Sequence, residues 1–252
     1  MNSSVPSPAA APAGRPRRFV TTRWSLIRQA RQGHDTPARA ALEELCEAYW
    51  LPVYGFMRRQ TRDVHEAQDW TQGFFASLLS RDALADLNPE FGRFRSFLLA
   101  AARHFVSNER DRKATLSRGG RIEFRSLDFE HGEEQLATEL ARGETAEQLF
   151  ERRWALALLD RVLNRLRQEN LDSGRAEFFA VLANHLAGQP TEGTLAEVAE
   201  TLQMSAEAVR ITLHRLRNRY RRILQSEIAE TVSSPDGIDD EIRCLFRALR
   251  VV

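Results

Sequence analysis

Apolar residues along this chain recur at steps of three and four, the period of an amphipathic helix. Trp24, Ile27 and Ala30 mark a first short face after Thr22. Thr36-Pro37 reads as an N-cap followed by proline at the first helical position, with Ala38, Leu42, Leu45 and Tyr49 on one side. Pro52 is expected to start a separate helix with Val53, Phe56 and Met57 inward. Asp63 and Glu66 have capping-box spacing, and Ala67, Thr71, Phe74, Phe75 and Leu78 follow as an apolar face. A turn at Asn88-Pro89 and Gly92 precedes a long helix from about Arg93 to Lys113, carrying Phe94, Phe97, Leu98, Ala101, Phe105 and Val106.

Between Ala114 and Glu144 the period lapses around Gly119-Gly120, which reads as a linker. It resumes at Thr145, whose capping box with Gln148 leads into Leu149, Leu156, Leu159, Leu163 and Leu166. A helix over 175–187 lies between Gly174 and Gly188, and two more cover about 195–202 and 206–224. No strand-like alternation of any length occurs. The expected fold is all-α: two small helical domains, 19–113 and 145–225, joined by a flexible linker over 114–144. A Pro- and Ala-rich tail over 1–18 is expected to be disordered.

The last stretch, 226–252, is patterned too. Glu227, Glu230, Asp236, Asp239, Asp240 and Glu241 come first, and Arg243, Arg247 and Arg250 come last. Ile238, Ile242, Leu245, Phe246 and Leu249 recur at helical spacing. Acid first and base last suits the helix dipole, so an amphipathic helix is expected. So short a helix needs a surface to cover. It either packs for stability or lies across a functional surface and restrains it, its acids competing with phosphates.

Composition narrows the class. The 36 basic and 35 acidic side chains leave a formal charge of +1, and 42% of residues are hydrophobic. This is ordinary globular chemistry. Lys113 is the single lysine, so nearly every cation is a planar, permanently charged guanidinium suited to phosphate and carboxylate partners. A balanced total does not argue against nucleic acid, because a footprint is local. Cys46 and Cys244 are too few for a disulfide framework or a cysteine zinc site. No apolar run approaches the roughly 20 residues that cross a bilayer, and the start lacks a signal-peptide layout, so a cytoplasmic protein without a membrane partner is expected.

The densest chemistry lies in 194–224. Thr194 and Glu197 form a capping box, Leu195, Val198, Ala199 and Leu202 line the first helix, and Gln203-Met204 is a tight connection. Ser205 caps the second helix, lined by Val209, Leu213, Leu216, Tyr220 and Leu224. Two short helices, a turn of about three residues and a basic second helix describe a helix-turn-helix. Ser205, Glu207, Arg210, Ile211, His214, Arg215, Asn218 and Arg222 then face outward, able to reach base edges and phosphates in a major groove. Arg217, Arg219 and Arg221 would add backbone attraction. The plainer alternative is a solvated helical hairpin.

TLAEVAETLQMSAEAVRITLHRLRNRYRRIL resembles region four of bacterial RNA polymerase sigma factors of the extracytoplasmic-function type. One position departs: Gln203 stands where the family often has glycine. A positive φ there would cost a non-glycine residue on the order of 1 kcal/mol. EAQDWTQGFFASLL (66–79) is similar to region two of the same family. Asp69, Gln72 and Gly73 share a face, which the resemblance assigns to the polymerase largest subunit. Gly73 replaces the usual acidic residue, which should weaken that contact or shift it to neighbours. FGRFRSFLLAAARHFVSNERDRK (91–113) resembles the promoter-opening segment, combining aromatic surfaces for base stacking with cations for phosphates. Phe91, Arg93, Phe94, Arg95, Arg103, Arg110, Arg112 and Lys113 are its candidates, while Phe97 and Phe105 fit the buried face. FVTTRWSLI, FERRWAL and the extended C-terminus look like additions of a subgroup.

The resemblance implies core RNA polymerase and promoter DNA as partners, double-stranded upstream and single-stranded where melted. It leaves room for a regulator such as an anti-sigma factor. The rival is a helix-turn-helix regulator that binds DNA without joining polymerase, which gives no account of Asp69 and Gln72. An enzyme is not expected. No phosphate-binding Gly-rich loop or G-x-S-x-G elbow occurs, and the six histidines lack ligand spacing. Asp63, Glu66 and Asp69 on adjacent turns could suggest a metal, but acids at a helix N-terminus complement the dipole. No cofactor and no metal are expected.

Overall fold

The computed structural model describes residues 36–78, 93–114, 127–186, 192–232 and 234–250, with side chains from Cys46 onward. The tail over 1–18, the face at Trp24, the turn at Asn88-Pro89, Phe91 and the glycine pair 119–120 lie outside the described residues. The described residues are all-α: nine helices and no strand. They are α1 (Thr36–Gln60), α2 (Val64–Leu78), α3 (Phe94–Ala114), α4 (Phe129–Ala141), α5 (Ala146–Asp172), α6 (Ala176–Ala183), α7 (Glu192–Thr201), α8 (Ala206–Ala229) and α9 (Gly237–Leu249). None of them is long and apolar enough to cross a membrane.

Two expected boundaries moved before α5. Pro52 lies inside α1 instead of starting a new helix. A proline there forfeits one backbone bond, but Val53, Tyr54, Phe56 and Met57 are all fully buried around it, and their packing carries the helix through. The second change is α4, inside the segment expected to be linker. Its contact face is made of Phe129, Gly132, Leu136 and a buried Glu139, so it shows little apolar period. Gly132 is needed there: a Cβ would lie 2.9 Å from the Trp50 ring. Phe129 meets Trp50 edge-on at 5.8 Å and Tyr54 at 4.9 Å.

The long helix α5 is the spine, packed against α1, α3, α6, α8 and α9. Its start carries the expected capping box, with Thr145 Oγ1 accepting from the Gln148 amide and Gln148 Oε1 from the Thr145 amide. Its end is closed by Gly174 at φ +70°, with Gly174 N–H on Leu171 O and Arg175 N–H on Asn170 O, a Schellman turn. Because α5 is covered on several sides, Phe150, Trp154, Leu158 and Val162 are buried along with the expected Leu149 and Leu166. One continuous core links α1 to α5 with α8 and α9, and a small second cluster joins α6, α7 and α8.

Candidate functional site

The hinge of the basic segment is built by α7, its turn and α8. Helix α7 starts at Glu192, so Thr194 lies in its first turn and not at its cap. It ends in a second Schellman turn: Gln203 N–H bonds Glu200 O at 3.2 Å and Met204 N–H bonds Ala199 O at 2.9 Å. Gln203 sits at φ +51°, the left-handed conformation in question at this non-glycine position. Ser205 then caps α8, its hydroxyl accepting from the Ala208 amide at 3.2 Å.

Burial on one side fixes what the other side offers. Val209 and Leu213 are buried against Leu182, Leu195, Val198 and Ala199. Ser205, Glu207, Arg210, Ile211, His214, Arg215 and Arg222 are therefore exposed, with Asn218 half-buried. Arg210 pairs with Glu207 at 2.5 Å, and His214 Nε2 lies 2.9 Å from the Asn218 amide nitrogen. Two arginines expected to add attraction also anchor the helix. Arg217 donates to the carbonyls of His185 and Leu186 at the end of α6. Arg219 forms a two-pronged pair with Glu169 at 2.6 and 2.7 Å, and those hydrogen bonds hold its guanidinium pKa above the usual value. Arg221 is exposed.

The second candidate face is on α2. Trp70, Thr71, Phe74 and Phe75 are buried, which leaves Asp69 exposed and Gln72 half-buried. Gly73 faces inward. A Cβ there would stand 3.1 Å from Phe105 Cζ, so its smallness serves the approach of α2 and α3. Asp63 caps α2, accepting from the His65 and Glu66 amides, and Glu66 accepts from the Thr61 hydroxyl. Among the described residues no group of His, Cys, Asp and Glu is arranged to hold a metal ion.

Helix α3 departs furthest from expectation. Phe94 is fully buried, edge-on to Tyr49 at 5.2 Å, and its N–H donates to Thr231 O at 3.1 Å. Arg95 is only 5% exposed. Its Nε and Nη2 donate to Glu241 at 2.6 and 3.1 Å, its Nη1 to Glu151, and its guanidinium lies 4.6 Å over the Trp154 ring. Burial pushes the Glu151 carboxyl pKa up against the pull of Arg95. Arg93 is half-buried, 3.1 Å from Glu241 and 3.9 Å from Asp240, with a bond to Cys244 Sγ. In this arrangement Phe94 and Arg95 present no surface to a DNA strand. Arg103, Arg110 and Arg112 are exposed, touching Glu147, Gln60 and Glu109 respectively. The Lys113 side chain lies outside the described residues.

What the residue pattern left unassigned is the role of the segment Phe150 to Trp154. It is a hub. Glu151 and Trp154 hold Arg95 of α3, while Arg153 donates to Gln135 O and to Glu139 Oε2 at 2.6 Å, holding α4. Arg152 stands 3.9 and 3.8 Å from Glu139 and Glu144. The density of charge in FERRW was the available signal, because a buried charge must be paired. Compared with known proteins, the chain matches no family model, no curated protein and no solved structure.

Proposed function

We propose that this chain is a sigma factor of the extracytoplasmic-function type, which directs bacterial core RNA polymerase to specific promoters and assists strand opening. The observation that carries the reading is the outward face of α8. Arg210, His214, Arg215 and Arg222 are exposed directly after a tight turn whose opposite side is locked into the α6–α8 cluster. We read this as a helix-turn-helix, with rigid support behind the side chains that would meet a major groove. Asp69, exposed on α2, and its neighbour Gln72 supply a separate polar face for polymerase. Such a subunit contributes recognition and leaves nucleotide chemistry to polymerase, and it works in the cytoplasm.

Two measurements test the proposal: co-elution of the purified chain with bacterial core polymerase, and run-off transcription on a mixed genomic template. Co-elution and new start sites are expected, with Asp69→Ala weakening co-elution while the melting temperature holds. A chain that neither binds polymerase nor makes it initiate at any promoter ends the proposal. One observation favours a second reading, a regulator that binds DNA without polymerase: the burial of Phe94 and Arg95. Tight binding to double-stranded DNA by the chain alone, without polymerase, would select it.

A further inference from the structure

We propose that α9 is an internal restraint: Glu241 and Asp240 occupy the leading turn of α3 as strand phosphates would, keeping Arg93 and Arg95 from nucleic acid until α9 lets go. This rests on the sigma-factor reading for its biological consequence, while the contact itself is independent of it. Helix α3 begins at Phe94, so its first amides and its dipole form an electropositive end. Two guanidiniums flank that end, and one fully buried carboxylate, Glu241, bonds both of them. Planar forked donors at a helix N-terminus make an anion-binding arrangement. Here the anion comes from the chain's own C-terminal helix.

The restraint has a second fastening. The Phe94 amide has no earlier turn of helix to bond, and its carbonyl partner is Thr231, at the end of α8 and before α9. Thr231 is itself 2% exposed. The leading turn of α3 is thus pinned through both its side chains and its backbone by residues at the far end of the chain. Leu245 and Ala248 bury the same helix in the common core, so release of α9 would free Arg93, uncover an apolar face and leave Arg95 held from the α5 side alone, by Glu151 and Trp154. Two ligands that need the same arginines exclude each other, and the coupling is reciprocal: a strand bound at α3 favours a released α9 by the same factor that α9 weakens the strand.

The test uses the full chain, Glu241→Gln, and a chain ending at Val232. Asp239→Asn is the control, removing the same charge from an exposed position of the same helix. Exchange of the Arg95 Nε proton, donated to Glu241, reads the contact, and anisotropy with a single-stranded oligonucleotide reads strand binding. Run-off transcription with core polymerase reads consequence, and thermal unfolding reads integrity. Faster Arg95 Nε exchange and strand binding tighter by about fivefold or more are expected in Glu241→Gln and the shortened chain, but not in Asp239→Asn. Should Glu241→Gln unfold, the shortened chain carries the test, and should that unfold too, the restraint is overturned in favour of plain packing. Faster exchange without tighter strand binding, or equal gains in Asp239→Asn, also overturns it. Tighter strand binding from a chain that never makes polymerase initiate keeps the restraint and removes the sigma-factor reading. Initiation by the intact chain with no gain on release does the opposite.

Discussion

Glu241 and Arg95 stand 146 positions apart and meet through two hydrogen bonds, from Nε and Nη2, with the carboxylate wholly buried. Removing one partner of such a pair leaves the other charge without its counter-ion in a low-dielectric site, which costs about 3–5 kcal/mol. Glu151 still faces Arg95 and Arg93 still faces Glu241, so each single alanine variant belongs at the lower end, about 3 kcal/mol. Arg95→Met combined with Glu241→Leu should recover part of that loss, because two apolar side chains bring no desolvation penalty, while Glu151 and Arg93 each lose a partner and keep the recovery incomplete. Urea unfolding of the two singles and the double measures this. Singles that each cost under about 1 kcal/mol would place the pair in a wetter setting than its burial indicates.

The exposed face of α8 makes a different kind of prediction. Arg210 and Arg215 extend from rigidly backed positions, and His214 lies between them. A two-pronged base contact is worth about 1–3 kcal/mol of discrimination at its base pair, whereas a phosphate contact weakens every sequence alike. Under the proposed promoter-reading role, alanine at Arg210 or Arg215 is expected to alter preference at one or two base pairs of the upstream element. Binding across a set of single-base promoter variants measures it. A uniform loss over the set would make that residue a phosphate contact. Neither substitution should move the melting temperature much, since both side chains are exposed.

The parts that sequence reading anticipated are local, and the parts it missed are not. The Thr145–Gln148 box and the Ser205 cap need only residues three apart, so their spacing announces them. The outward face of α8 follows from its period, for the same reason. Pro52 misled because its penalty was weighed without the fully buried neighbours that outweigh it. Helix α4 was hidden because its buried face includes Gly132 and Glu139, which no hydrophobic count registers. Phe94 and Arg95 look like an exposed aromatic and cation beside a turn. Only the distant Glu241, Glu151 and Trp154 turn them inward.

Gln203 offers a gain instead of a loss. At φ +51° its Cβ is crowded against its own backbone, at a cost of roughly 1–2 kcal/mol. Glycine removes that crowding but brings more conformational freedom to the unfolded chain, which takes back part of it. Gln203→Gly is therefore expected to stabilise the chain by about 0.5–1 kcal/mol, since the side chain is exposed and nothing else is lost. Thermal unfolding of the two chains side by side checks it. A lower melting temperature in the glycine variant would mean that the Gln203 side chain makes a contact worth more than the strain.

Glu133 links α4 to α1 and gives the fold an acid sensitivity. Its Oε1 accepts from Tyr54 Oη and from Arg58 Nε, both at 2.6 Å. Burial alone would push its carboxyl pKa up, but the bonds from Arg58 and Tyr54 outweigh this and hold it below the ordinary glutamate value. A carboxylate with a depressed folded pKa contributes stability that is fully present above its unfolded pKa, about 4.3, and is lost as pH falls through the folded value. Glu151 runs the other way: its raised pKa means that protonation favours the folded chain as pH falls through that higher value. The two slopes separate by substitution. In Glu133→Gln the loss of stability below about pH 4.3 should be shallower than in the unaltered chain, with a lower plateau at neutral pH because the charged partner of Arg58 is gone. Urea midpoints taken at intervals between about pH 3 and pH 7 measure both effects. Parallel curves for the two chains across that range would mean that the Arg58–Glu133–Tyr54 link does not couple α4 to folding.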